Sequence, residues 1–510
     1  MTLRDAFTEV PTQKINKLYI STLPNKMDNG LQELFINPLN NGWKLYDLIE
    51  FIYKNSINGL SHKLYPYLLN RYANGDYSKN ILLPYVDLDC KRHMIRDIIV
   101  IADPNDAERL ANKHIKKMPN LETQFHDSII STTDIEHWNN QRKNLIEAFN
   151  PETSLEKIMP ISNNRAKKCK DLIWEKCQLN ENNMININDF FLNETQAQLQ
   201  MSLFGFSGKY QEKTNKKIRD AFDSIGVGNA RKYAVSSMYE LKVADGPLSR
   251  CLKEKKQMTD SELYGNMLLF LFAGHDTTGN TLTWLLYELA KNIETQKQLQ
   301  NEVDIFWKQQ GESEIKLNDF KRLPFMTRCI METLRLWTPV PNGTFRELMS
   351  DDIITGKNGE KVEVRKGTYI QIVNWVRHRD RKLWGDDVNI FNPNRDFKKN
   401  EIWNNSVYHF SNPNSKRFSP FSYEPRDCLG KNFAQMEMRL MLLYLLKDYN
   451  FTLSNKQAMV AFDEHNLDIN FGTLTPKDIY KPKNDLCPEL RKYNHGLYLC
   501  VNKRNISSRL

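Results

Sequence analysis

Apolar residues recur three and four positions apart in several long stretches of the chain, at residues 45–53, 263–289, 325–336 and 434–446. This spacing places the apolar side chains on one face of an α-helix, so each stretch predicts a helix. Short β-rich runs interrupt the helical pattern at residues 97–102, 368–373 and 496–501. Because these runs are too few for a parallel sheet wound by regular βα repeats, the pattern predicts a mainly α protein (α+β) with small sheets. Asn105 is a candidate N-cap for the helix that follows the first run.

Composition and charge place the chain among ordinary globular proteins. Of its 510 residues 40% are apolar and 11% aromatic, and the net charge is +9. This charge suggests an acidic partner only weakly, solubility explains it equally well, and no nucleic-acid partner is expected. No window reaches 18 consecutive apolar residues, and the first 30 residues hold no run typical of a signal peptide or transmembrane anchor. We therefore expect a soluble, cytoplasmic protein whose membrane contact is at most peripheral.

One of the eight cysteines, Cys428, has an unusual setting. An irregular loop delivers it to the start of a long apolar helix, where unpaired backbone N–H groups and the helix dipole favour a thiolate. Arg426 adds a cation suited to a carboxylate, and the apolar helix behind it offers a flat wall. Thiolate, wall and arginine together suit a heme with anionic propionates. The alternative is a buried structural cysteine.

Polar residues interrupt the long apolar helix of residues 263–289 at Asp276 and Thr277. Thr277 can direct its hydroxyl to the carbonyl of Ala273, and Gly274 permits a local widening, so the segment suits a bent helix with an inserted water. An acid beside an alcohol in a buried groove suits a proton relay. The alternative is a core helix whose threonines are satisfied by backbone carbonyls.

Two further pairs stand at helical spacing. Glu332 and Arg335 lie one turn apart near a helix end, a spacing that taken alone indicates a surface salt bridge. Trp138 and Arg142 share one helical face, which alone indicates a stacked pair on an exposed helix.

In order and spacing these segments resemble the cytochrome P-450 family. The cysteine loop matches FxxGxRxCxG at Phe421, Arg426, Cys428 and Gly430, with Glu424 where the family has its first glycine. The remaining matches are to the motifs (A/G)Gx(D/E)T(T/S), ExxR and WxxxR, carried by Ala273–Thr278, Glu332 with Arg335, and Trp138 with Arg142.

The resemblance implies the P-450 fold, a large helical domain with small β-sheets around a buried heme. The heme domain is expected at residues 61–510, after an N-terminal segment, residues 1–60, without a transmembrane helix. By the same resemblance Cys428 binds the heme iron as the axial thiolate. The residues expected to bind the heme propionates or cofactor edge are Trp138, Arg142, Arg346 and Arg426, and those expected to form a structural triad are Glu332, Arg335 and Arg395.

The resemblance also implies a function, that of a heme-thiolate monooxygenase. It would activate O2 and hydroxylate or otherwise oxidise a small apolar organic substrate, with Asp276 and Thr277 delivering protons for O–O cleavage. Phe270, Phe272 and Phe345 indicate an apolar substrate, and the family also lines its pocket with a C-terminal hairpin, here near residues 471–474. Relatives that rearrange hydroperoxides, and a non-catalytic heme-binding or sensor protein, remain as alternatives.

Electrons must come from a partner, because no flavin or dinucleotide fingerprint is found in the chain. We expect an NADPH-dependent reductase or a ferredoxin, with NADPH or NADH as the indirect donor. The basic residues around Cys428 that we expect to dock an acidic partner are Lys416, Arg417, Lys431 and Arg439. Ordinary surface charge is the alternative.

Overall fold

The computed structural model describes residues 29–57, 61–87, 94–223, 231–253, 258–398, 401, 415–454, 467–470, 473–476 and 497–505. More than half of the expected N-terminal segment 1–60 therefore lies outside the described residues. The structure is mostly helical, at 59%. Within the described part, no helix combines the length and the apolar character needed to cross a bilayer.

The α-helices form most of the structure and carry the candidate site. They are α1 Asn29–Leu34, α2 Leu45–Ile57, α3 Ser61–Tyr72, α4 Pro104–Lys113, α5 Glu122–Phe125, α6 Ile135–Leu145, α7 Glu156–Cys177, α8 Ile187–Gln198, α9 Gly208–Asp223, α10 Arg231–Val243, α11 Pro247–Lys253, α12 Asp260–Lys291, α13 Ile293–Gln310, α14 Pro324–Leu336, α15 Asn374–Arg377, α16 Arg381–Trp384 and α17 Lys431–Asp448. Short 3-10 and π segments extend several of them, among them Ile146–Phe149 after α6 and Leu199–Phe204 after α8.

The strands are β1 Ile81–Asp87, β2 Met94–Ile101, β3 Met184–Asn186, β4 Thr344–Glu347, β5 Asp352–Thr355, β6 Lys361–Val364, β7 Tyr369–Ile372, β8 Tyr449–Leu453, β9 Leu467–Asn470, β10 Thr473–Pro476 and β11 Tyr498–Lys503. They form small sheets in the described residues, of order β1-β2-β7-β4, β3-β11-β8, β10-β9 and β5-β6. In the four-stranded sheet β2 and β7 are parallel, and the other pairs are antiparallel. The prediction of a mainly α protein with small sheets is confirmed.

Three clusters of apolar side chains hold the described elements together. A large helical core is centred on α12 and α17, which bury most of their length. Smaller cores cover the two faces of the four-stranded sheet, with Ile99 and Ile372 on one face and Val100 and Val373 on the other. Because α12 is apolar on nearly all sides, it is buried along its whole width rather than along one stripe.

The four helices predicted from apolar spacing are present as α2, α12, α14 and α17. The N-cap prediction for α4 is wrong by two residues. Asp103, not Asn105, accepts hydrogen bonds from the backbone N–H groups of Asn105 and Asp106 at 2.9 Å each. Pro104 then takes the first helical position, where its missing N–H costs nothing.

Candidate functional site

The loop before Cys428 is anchored by buried hydrogen bonds. Arg377 donates to the carbonyl of Lys416 at 3.0 Å and to the hydroxyls of Ser419 and Tyr423 at 2.9 Å each. The backbone N–H of Cys428 donates to the carbonyl of Phe421 at 3.0 Å. These bonds fix the direction in which the chain enters α17, so the position of the sulfur is set by the fold.

Cys428 lines an internal space. Its side chain is solvent-accessible, yet burial among protein atoms, reinforced by the charge of Asp427, raises the pKa of the thiol to about 11. A hydrogen bond from the Gly430 backbone and the charges of Lys431 and Arg142 oppose this rise. Burial therefore outweighs the preference for a thiolate that the helix N-terminus provides, and a bound cation is needed to displace the proton.

One face of α12 is also open to an internal space. Ala273, Gly274 and Thr277 are partly accessible, whereas their neighbours His275, Asp276 and Thr278 are buried. Residues four positions apart share a helix face, so Ala273 and Thr277 line one groove, while the side chain of Leu199 packs over Gly274.

Aromatic side chains connect this groove to the cysteine. The ring of Phe149 lies 5.9 Å from that of Phe270, which precedes the groove by one turn. A β-carbon added at Gly430 would lie 3.8 Å from Phe149 and 4.0 Å from the sulfur of Cys428. Cys428 and the α12 groove therefore border the same region of the interior.

The acid and the alcohol of α12 have defined hydrogen bonds. The hydroxyl of Thr277 donates to the carbonyl of Ala273 at 3.1 Å, as its spacing predicts. Asp276 is 4% exposed, and Asn280 donates to its main-chain oxygen at 2.8 Å and lies 3.4 Å from its Oδ1. The helix is α-helical without interruption from Asp260 to Lys291, so the expected local widening does not occur.

Three cations meet at the edge of this interior without a balancing carboxylate among the described residues. Arg346 and Arg426 are buried, and burial lowers the pKa of each to about 9. Burial, with the charges of both arginines, also lowers the pKa of Lys117 far below its usual value. In the described part of the chain, Nε and Nη2 of Arg346 and Nε and Nη1 of Arg426 have no acceptor. Such a cluster is costly unless an anion binds to it.

Lys117 is the site residue that the sequence analysis missed. Its Nζ donates to the hydroxyl of Thr344 at 3.0 Å, beside Arg346 on the same strand. In the sequence it is one of two adjacent lysines, with Lys116, and nothing in that pattern separates it from a surface residue. Only its packing against β4 reveals its place.

Trp138 is buried, and its indole ring packs against the guanidinium of Arg426. The guanidinium of Arg426 stands 4.5 Å from the centroid of the indole, and its Nη2 donates to the carbonyl of Thr132 at 3.3 Å. Arg142 lies 6.0 Å from the same ring, but its guanidinium pairs with Asp427. The structure thus brings together Trp138, Arg346 and Arg426 with Lys117, and places Arg142 beside the cysteine loop.

Glu332 binds both arginines of the expected structural triad. Arg335 donates to its two carboxylate oxygens at 2.7 and 2.8 Å, and Arg395 donates to Oε1 at 3.1 Å. All three side chains are buried. The group ties α14 to the segment that leads into the cysteine loop.

The expectation of a basic patch around Cys428 is wrong for Arg439, and Arg417 and Lys431 are partly buried in ion pairs. Arg439 is 1% exposed and donates to the hydroxyl of Thr327 at 2.9 Å. Arg417 binds the carboxylate of Glu401, and Lys431 binds that of Asp427. Lys416 alone of the four is exposed, and it donates to Asn105. The sequence pattern did not show which of these basic side chains are buried or ion-paired.

Comparison with known proteins agrees with this architecture. Residues 247–482 match the family model described as Cytochrome P450. Cytochrome P450 CYP13A5 of Caenorhabditis elegans is 33% identical over 204 residues, 40% of this chain and 36% of the relative. Cytochrome P450 4F8 of Homo sapiens is 31% identical over 199 residues, 38% of this chain and 34% of the relative. The matched region is thus less than half the length of each of these relatives.

Solved structures extend the likeness to nearly the whole fold. The heme domain of cytochrome P450DA superposes with a TM-score of 0.66 at 19% identity, covering 90% of this chain and 95% of that one. A mutant of the same heme domain superposes with a TM-score of 0.68 at 18% identity, covering 90% of this chain and 96% of that one. The chain is similar in sequence to cytochrome P450 proteins over these regions, and it has the fold of the cytochrome P450DA heme domain.

The residues present fit the family's cofactor, a heme with a cysteine thiolate ligand. A heme needs a sulfur ligand for its iron, apolar walls for its flat macrocycle and cations for its two carboxylates. Cys428 offers the sulfur, and Phe149 and Phe270 are apolar. The buried N–H groups of Arg346 and Arg426 that lack an acceptor in the described residues suit the two carboxylates.

Proposed function

We propose that the protein is a heme-thiolate monooxygenase that hydroxylates, or otherwise oxidises, a small apolar organic substrate. The observation that carries this proposal is the common interior bordered by Cys428 and by the α12 groove with Thr277. A heme bound there would supply the activation of dioxygen. One oxygen atom enters the substrate and the other leaves as water, with two electrons from a separate reductase or ferredoxin and two protons from solvent.

We assign the handling of protons to Asp276 and Thr277. The Thr277 hydroxyl directs its hydrogen to Ala273, which leaves its oxygen lone pairs facing the groove as acceptors. Asp276 is the neighbouring buried acid, positioned by Asn280. A buried acid next to a groove-lining alcohol supports transfer of protons from the protein interior to the groove.

The walls near the groove support an apolar substrate. Phe270 and Phe272 are buried on α12, and the ring of Phe272 lies 5.7 Å from that of Phe125. Phe345 is partly buried and packs against the core of the four-stranded sheet instead. The expected lining residue Phe471 lies outside the described residues. Aromatic walls of this kind exclude water and favour apolar ligands.

The carbon monoxide difference spectrum of the reduced, purified protein tests the heme assignment. A strongly red-shifted Soret band supports a thiolate ligand, and its loss in Cys428→Ala with retention in Cys500→Ala assigns the ligand. Cys500 is a partly buried cysteine on β11 and serves as a matched control. Absence of the band in the unaltered protein would reject the heme-thiolate proposal.

Turnover separates the monooxygenase from the two alternatives. Substrate oxidation that requires NADPH, a surrogate reductase and dioxygen supports the proposal. Conversion of a fatty-acid hydroperoxide without any reductant would identify a rearranging relative, and heme binding without either reaction would identify a sensor. Glu424, which stands where the family has its first glycine, is exposed.

A further inference from the structure

A buried arginine, Arg377, donates only to neutral oxygen atoms among the described residues. Its exposure is 0%, and each of its five N–H groups has an acceptor. The acceptors, at 2.8–3.0 Å, are the main-chain oxygens of Val373 and Lys416, Oδ1 of Asn374, and the hydroxyls of Ser419 and Tyr423. A buried charge is costly unless its donors are satisfied, and a guanidinium donates in fixed directions. Arg377 therefore fixes the positions of its acceptors instead of balancing a carboxylate.

Asn374 extends the contacts of Arg377 to the turn of residues 340–343, here called the β4 turn because it leads directly into β4. Nδ2 of Asn374 donates to the carbonyl of Val340 at 3.1 Å. The backbone N–H of Asn374 donates to the carbonyl of Pro341, also at 3.1 Å. The other side-chain atom of Asn374, Oδ1, accepts from Arg377. Asn374 therefore joins the β4 turn to the arginine.

The cysteine loop needs support because one of its residues has an unfavourable backbone conformation. Ser422 has φ +65°, in the left-handed region that residues with a side chain rarely adopt. The next residue, Tyr423, is 2% exposed, and its hydroxyl accepts from Arg377 and donates to the carbonyl of Ser415 at 2.8 Å. Arg377 and Tyr423 thus hold the backbone of the loop shortly before Cys428.

The same arginine is therefore connected to both ends of the candidate site. The cysteine loop carries Cys428, and the β4 turn leads into the strand that carries Arg346. Arg377 contacts the loop directly and the turn through Asn374. Because the macrocycle of a heme is rigid, its iron and its carboxylates fit the sulfur and Arg346 together only when these two groups are correctly spaced.

We propose that Arg377, acting through Asn374, sets the position of Arg346 relative to Cys428, so that one rigid cofactor fits both. The inference rests on the proposed function for the nature of that cofactor. Arg377 and Asn374 are positioning residues in this arrangement, since they act through the turn and the loop and not by contact with the cofactor.

Amide hydrogen exchange of the full chain without cofactor tests the connection itself. The two probes are the backbone N–H of Gly343 in the turn, bonded to Val340, and that of Cys428 in the loop. We expect Arg377→Met to speed exchange at both probes by about tenfold. The control is Arg439→Met, which removes another buried arginine, one that donates to Thr327 in the helical core, and it should change neither probe by more than about twofold.

A milder variant keeps this test decisive if Arg377→Met does not fold. Tyr423→Phe removes a single acceptor on the loop side, and we expect it to speed exchange of the Gly343 N–H in the turn by about threefold. Acceleration confined to the loop would show that turn and loop are independent, and the proposal would fail. Arg377→Lys keeps the charge without the five fixed donors, so full recovery in this variant would also contradict the proposal.

Transfer of heme to an acceptor apoprotein tests the effect on the cofactor. We expect Arg377→Met to speed heme loss by about tenfold in the native background and by no more than about twofold in the Arg346→Gln background, where the spacing to Arg346 no longer matters. An equal acceleration in both backgrounds would overturn the positioning role. The control Arg439→Met should lose heme at nearly the unaltered rate.

The two measurements separate failure of this inference from failure of the proposed function. A protein that binds no heme would reject the proposed function and with it the role of Arg377 toward the cofactor. The exchange rates of Gly343 and Cys428 would still decide whether Arg377 connects turn and loop. Normal heme binding with unchanged exchange at both probes in Arg377→Met would reject the inference alone.

Discussion

The guanidinium of Arg335 donates two hydrogen bonds to the carboxylate of Glu332, at 2.7 and 2.8 Å, and neither side chain is accessible to solvent. A third donor of the same arginine reaches the carbonyl of His378 at 2.8 Å. Glu332 in turn accepts from Arg395. One buried carboxylate thus fixes two distant segments of the chain relative to α14.

Replacement of Glu332 should be strongly destabilising. Glu332→Gln leaves the buried guanidinium of Arg335 without its carboxylate and Arg395 with Asp387 alone, and we expect a loss of about 3–5 kcal/mol in the free energy of unfolding. Urea unfolding followed by circular dichroism measures it. The control is Glu294→Gln, which breaks a pair of the same i, i+3 spacing, with Lys297, on the surface. Similar losses in both variants would contradict the structural role of the triad.

Lys117 should matter for cofactor retention if the proposed function holds. Lys117→Met removes one cation from the cluster at Arg346 and Arg426, and we expect heme to dissociate about tenfold faster. The matched control is Lys116→Met, which removes an adjacent lysine that pairs with Glu347 near the surface. Transfer of heme to an acceptor apoprotein measures both rates. Equal rates for the two variants would remove Lys117 from the site.

Asp352 should make stability depend on acid pH. Burial alone would raise its pKa, but hydrogen bonds from His114, Lys113 and Arg109 outweigh burial and hold it well below the ordinary value of 3.8. Because the pKa is lowered on folding, this stabilisation is present above pH 3.8 and is lost as the pH falls through the native pKa.

The thermal midpoint measured between pH 6 and pH 2 tests this sign. Asp352→Asn should lower the midpoint most at pH 6, and its difference from the unaltered protein should shrink below about pH 4. Asp386→Asn, a change at an exposed carboxylate, is the control. A difference that stays constant over this range would show that the ion pairs at Asp352 contribute nothing.

Gly343 should tolerate no side chain. Its φ is +66°, and an added β-carbon would lie 1.8 Å from the carbonyl oxygen of Ile372 on the neighbouring strand. We expect Gly343→Ala to lose more than about 3 kcal/mol, because positive φ and a backbone clash add. Gly359→Ala, at φ +88° with nothing within 4 Å, should lose only about 1–2 kcal/mol. Thermal unfolding of the two variants separates clash from conformational strain.

Local spacing predicted those parts of the fold and site that depend on a single helix or loop. The long apolar period predicted α12, and the offset of four residues predicted the bond from Thr277 to Ala273. The order of the motifs also predicted the pairing of Glu332 with Arg335 and Arg395, by resemblance to a family. These relationships are either local in sequence or part of a set of motifs in a known order. They can therefore be predicted from the sequence.

The other features of the candidate site depend on tertiary packing, which the sequence does not show. Lys117 and Arg439 look alike as charged residues in the sequence, yet one meets two arginines and the other is buried against Thr327. The thiol of Cys428 is raised in pKa because burial outweighs the helix terminus, and that balance depends on every neighbour. The sequence did not predict that Arg142 pairs with Asp427, because Asp427 is distant in sequence and occupies a variable position of the cysteine motif.

The four-stranded sheet and the large helical core meet at the candidate site. Arg346 belongs to β4 and so to the sheet, whereas Cys428 and Arg426 belong to the loop that leads into the helical core. A ligand that binds all three residues would therefore link the sheet to the helical core and stabilise the folded state. Binding of the cofactor should therefore make thermal unfolding of the protein more cooperative. The cofactor would then stabilise the fold as well as take part in the reaction.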